Sequence, residues 1–140
     1  MISEHDPRLR YRVEDQSNDL LKLAKAAAER VNNTSLAPDQ VQGLLRQTQT
    51  GYGVEHVCNW LRYQQSRVDE WRDSGLAGLV LEDLSALRKE AKTIARAIEP
   101  ARAKEWLSVG WLALARRYAA YLERCYWVER KKREQNEEGR

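Results

Sequence analysis

ARAKEWLSVGWLALARRYAAYLERCYWVERKKR, residues 101–133, carries the clearest pattern in the chain. Leu107, Trp111, Leu114, Tyr118, Tyr121, Cys125 and Val128 recur at gaps of 4, 3, 4, 3, 4 and 3, which is the one-face spacing of an α-helix. Pro100 suits the first turn, where no N–H donor is needed. The neighbouring line, Ser108, Leu112, Ala115, Ala119, Leu122 and Tyr126, is also mostly apolar. A helix apolar over so much of its circumference needs neighbours on several sides. The remaining face has Ala113 and Ala120 along its middle. Arg116 and Glu123 flank them on one side, Arg117 and Arg124 on the other, and Trp106 and Trp127 stand at the two ends. The segment closes in Arg130, Lys131, Lys132 and Arg133.

Residues 101–133 hold 9 Lys/Arg against 3 Asp/Glu, a balance of +6, whereas the whole chain is +3. The positive charge is thus concentrated on this helix. A cationic face with small residues at its centre lets an anionic rod approach the backbone, and Lys/Arg contacts to phosphate dominate nucleic-acid affinity. The plainer alternative is a solvated face, with the terminal basic run complementing the helix dipole.

Working outward, 140 residues is about one domain. Good helix formers dominate and no stretch alternates as a half-buried strand does. The expected fold is all-α, a compact bundle of about five helices with a long C-terminal helix. Residues 1–16 show no sustained period and are expected to be a flexible or contact-ordered arm, residues 17–133 a single helical domain, and residues 134–140 a frayed tail. Ser17 or Asn18 can cap a helix over Asp19–Val31, and residues 32–35 break it. Helices are expected over Pro38–Gln47, over Val54–Arg72 and from Leu76 or Leu79 to Ile98. Gly51-Tyr52-Gly53 and Asp73-Ser74-Gly75 are the turns between them.

Several function classes are poorly supplied. No apolar run is long enough for a bilayer, and residues 1–12 lack the apolar core of a signal peptide. Cys58 and Cys125 do not make a disulfide scaffold, so a reduced, cytoplasmic setting is expected. His56 and Cys58 are two apart on a helix and diverge by about 200°, so no metal and no other cofactor is expected. Arg46 and His56 are too far apart for a short Arg-to-His ribonuclease motif, and glycine-rich phosphate loops are absent. The chain reads as a non-enzyme without a small-molecule substrate.

Leu36, Gln40 and Val41 open one helix; Tyr63, Gln64 and Arg67 lie in the next; Ala119, Ala120 and Tyr121 lie in the last. In this order, over about residues 36–126, they resemble the helical small subunit of type III CRISPR effector complexes, nearer the III-A than the III-B kind. Gln42 and Ser66 depart from that pattern, which often has a basic residue and a glycine there. The resemblance implies a non-catalytic subunit. Such a subunit contacts the backbone of guide and target RNA without reading bases, packs on other subunits of the complex and lines up with copies of itself. Arg46, Arg62, Arg67, Arg116, Arg117, Arg124, Arg130 and Lys131 are the expected RNA-contacting residues; Arg62 with Arg67, and Arg116, Arg117 and Arg124, would make one positive groove if their two helices pack side by side. The alternative is a helical protein-interaction or dimerising module, for which Trp106 and Trp127 beside the basic face are the argument.

Overall fold

Helices start readily where a capping carboxylate precedes a proline, and Asp6-Pro7 is such a place. Asp6 Oδ1 accepts from the Arg8 N–H at 2.9 Å and opens α1, Pro7–Asp15. The computed structural model describes residues 2–31 and 35–139. These form six further α-helices: α2 Ser17–Arg30, α3 Pro38–Thr48, α4 Val54–Arg67, α5 Asp69–Ser74, α6 Leu76–Ile98 and α7 Ala103–Glu138. A 3-10 turn, Pro100–Arg102, joins the last two, and no strand occurs among the described residues. The protein is an all-α bundle, and α7, with 36 residues and about 54 Å of length, is its longest helix.

Helix α7 is the axis of the bundle, and side-chain bonds fix the direction of each neighbour. Helix α6 returns against it as an antiparallel hairpin: the Trp111 indole donates to the Leu84 carbonyl at 2.8 Å and the Tyr118 hydroxyl to Asp83 Oδ2 at 2.6 Å. Helices α1 and α2 run parallel to α7 at an offset of about one hundred residues. The Arg8 guanidinium lies 5.1 Å from the centre of the Trp106 ring, and Arg117 donates to Ser17 Oγ at 2.7 Å. Helix α3 is antiparallel on a further side. Its start is held where Tyr126 and Arg130 both donate to the Leu36 carbonyl, and its end where Arg116 donates to the Thr48 carbonyl. Leu114, Tyr118, Leu122 and Tyr126 are buried as a consequence.

The stretch read as an arm is largely α1. Leu9 and Val13 are buried in the core, and they are its only two inward apolar positions, too few to set a period. Because α1 covers the first turns of α7, Trp106 is 2% exposed and does not border the basic face. Its indole N–H donates to Glu99 at 3.3 Å instead.

The helix expected over Val54–Arg72 is two helices, α4 and α5, parted at Val68 in an extended conformation. The break lets two tryptophans pack together. In one straight helix Trp60 and Trp71 would stand about 16 Å apart along the axis. With the chain turned at Val68 their rings meet edge to face, centroids 5.6 Å apart, a favourable aromatic geometry. Gly75, at φ 75°, makes the next turn and sets the start of α6 at Leu76. Residues 134–138, read as a frayed tail, continue α7 with exposed side chains. Most of the break read at residues 32–35 lies outside the described residues; Ser35 is not helical.

Candidate functional site

Small residues on a helix leave a trough where longer neighbours rise on either side. Along α7, Ala113 and Ala120 form such a floor, with Arg116, Arg117 and Arg124 around it. The opposite wall is not α4, as the joint-groove expectation required, but the N-terminal segment and α1: Glu4, His5, Arg10 and Val13. The groove encloses about 470 Å³ and presents four guanidinium groups against one carboxylate.

Two of those guanidiniums are fixed in place. Arg116 donates from Nε to the Thr48 carbonyl at 2.7 Å and from Nη1 to Glu4. Arg117 donates from Nη1 to Ser17 Oγ. A guanidinium carries five N–H donors, so each bond orients the group while other donors remain for a ligand. Both side chains are half-buried, which strengthens their field relative to a fully solvated charge. Arg124 and Arg10 are exposed at the rim. Arg10 and His5 were not among the residues expected from the sequence, because the segment that carries them shows no periodicity to place it beside α7.

The other expected residues are distributed differently. Arg62 and Arg67 are exposed on α4, with the Arg67 guanidinium 5.7 Å from the centre of the Tyr63 ring one turn earlier. On α3, Arg46 sits apart from the trough. Arg130 is half-buried, lies 5.7 Å over the Tyr126 ring and donates to the Leu36 carbonyl, so it ties the entry of α3 to α7. Lys131 is exposed and pairs with Glu134 at 3.7 Å.

A second groove of about 320 Å³ continues the first and shares Glu4 and Arg116 with it. Its walls include Ile2, Val109, Leu112 and the turn Gly51-Tyr52-Gly53.

Among the described residues, no group of three or more His, Cys, Asp or Glu side chains is placed to hold a metal ion. Burial pushes both the Cys58 and the Cys125 thiols up from their ordinary values, the opposite of what activates a nucleophile. Burial also raises the Asp83 carboxyl, while the bond from Tyr118 opposes that rise. Among the described residues, no helix is long and apolar enough to cross a membrane. Comparison with protein-family models, curated proteins and solved structures finds no match to this chain.

Proposed function

We propose that this chain is a non-catalytic, RNA-backbone-binding small subunit of a type III CRISPR effector complex, working in the cytoplasm. The observation that carries the binding reading is the α7 groove: four guanidiniums around a floor of two alanines. Its chemistry is charge neutralisation of a shaped polyanion. Phosphate contacts position RNA, and sequence is left to pairing between guide and target. The placement within a type III complex rests on the motif resemblance, and two of its residues, Ala120 and Tyr121, line this groove. The exposed Arg62 and Arg67 on α4 supply a separate cationic patch for a second stretch of backbone or for a neighbouring subunit.

The test is binding of duplex RNAs of unrelated sequence over a salt series. Affinity is expected to be similar for all of them and to fall steeply with salt. Arg124→Ala, at an exposed position, should flatten the log–log salt slope by about 0.9 without changing stability. Affinity independent of salt would overturn the reading. A second reading, a protein-docking module, is favoured by the exposure of Trp127 and Val128 beside the same helix face. It predicts that Trp127→Ala abolishes association with a protein partner while Arg124→Ala does not.

A further inference from the structure

The groove that continues past Arg116 has a different chemistry from the basic trough. It shares Arg116 and Glu4 with the trough, and Ile2, Val109, Leu112 and an aromatic residue are among those that line it. The ring is Tyr52, which is 73% exposed. Gly51 and Gly53 flank it with φ of 82° and 99°, a backbone that L side chains rarely adopt. The turn therefore holds the tyrosine off the core. Its one described ring neighbour is His56, itself exposed, with centroids 5.3 Å apart and planes tilted by 39°. Such a ring adds little to the stability of the bundle, yet it sits on the rim of a cavity within the size range of pockets that take small ligands.

The Arg116 guanidinium already holds an anion of the chain itself. Glu4 places its carboxylate on Arg116, which also donates to the Thr48 carbonyl. An RNA phosphodiester offers the same guanidinium the same single charge and two acceptor oxygens, so it can stand where the carboxylate does. One groove thus brings together an aromatic residue, apolar side chains and a guanidinium that it shares with the basic trough. Those are the kinds of surface that a base, a sugar and its phosphate need, next to a trough for the rest of the strand.

We infer that this groove takes one unpaired nucleotide of a bound RNA, its base stacked on Tyr52 and its phosphate replacing Glu4 on Arg116. The inference rests on the RNA-backbone reading above and adds a base-binding pocket to it. Stacking on one ring does not discriminate among bases, because each has a π-face.

The experiment compares an RNA duplex carrying one bulged adenosine with the same duplex without the bulge, using the full chain. The parent protein is expected to prefer the bulged duplex. Tyr52→Ala should reduce affinity for it by about 5- to 150-fold, the span of a lost aromatic–base stack, and leave the unbulged duplex unaffected. Tyr52→Phe, which keeps the ring, should keep the preference. Glu4→Gln, which removes the resident anion, should tighten binding of the bulged duplex. Salt-dependent binding of both duplexes with a ratio unchanged by Tyr52→Ala would overturn the nucleotide pocket and leave the backbone reading intact. Failure of the parent protein to bind either RNA would overturn both.

Discussion

Replacing Arg117 by alanine separates the structural and the electrostatic work of the α7 groove. On its sequence position alone Arg117 is a surface cation, and its loss should move stability by no more than about 0.5 kcal/mol. The structure changes that expectation, because Nη1 donates to Ser17 Oγ at 2.7 Å and joins α7 to the first turn of α2. Hydrogen bonds to charged groups contribute about 1.5–3 kcal/mol, and the half-exposed setting of this one brings that down to about 1–2 kcal/mol. With an unfolding entropy of about 2.1 cal/mol/K per residue, that loss lowers Tm by roughly 3–7 °C for a chain of this length. Ser17→Ala should give much of the same loss while leaving the charge in the groove. The RNA effect is independent of this. Affinity scales with salt to the power of about −0.9 for each phosphate neutralised, so removing one guanidinium–phosphate pair weakens binding about eightfold at 0.1 M salt. The assay pairs far-ultraviolet circular dichroism melts with RNA titrations at several salt concentrations. Ser17→Ala should move only the melt, Arg124→Ala only the titration, and Arg117→Ala both. Unchanged melting of Arg117→Ala and Ser17→Ala would refute the α2–α7 tie. Unchanged RNA affinity for Arg117→Ala and Arg124→Ala at every salt concentration would refute the cationic groove.

Trp111, whose side chain is packed in the core and bonded to the Leu84 carbonyl, should cost about 3–5 kcal/mol when replaced by alanine; a urea midpoint within error of the parent would show that α6 does not pack there. Trp127→Ala, at 46% exposure, should cost under about 1 kcal/mol. Asp83 gives a pH signature. Burial holds its folded pKa above the unfolded value, so the native state takes up its proton more readily, and the stability this confers is present below about pH 3.8 and lost as pH rises through the raised value. Asp83→Asn should therefore gain stability relative to the parent between pH 3 and pH 7, measured by denaturation at both. A gap that stays constant or moves the other way would refute the assignment of burial as the dominant influence.

The long helix, its apolar lines and its cationic face with Ala113 and Ala120 at the centre were legible in the sequence. They repeat every three or four residues over many turns, and a regular period carries its own geometry. The same holds for the all-α class and for the inward positions of α2, α3 and α6. What only the tertiary structure decided are matters of who lies beside whom. Two apolar residues, Leu9 and Val13, cannot announce a helix by periodicity, so the wall that α1 and Glu4 build across the groove was invisible. With that neighbour unknown, Trp106 could not be distinguished from the exposed Trp127 on the same line of α7. The turn at Val68 brings Trp60 and Trp71 into a contact that a straight helix would forbid, and spacing along one helix does not reveal that contact. Arg116, Arg117 and Arg130 look alike in a charge pattern. Their different tasks come from a carbonyl of α3, a serine of α2 and the entry to α3, residues 68, 100 and 94 positions away in the chain. Spacing along one helix reports which residues share a face; only packing determines what that face meets.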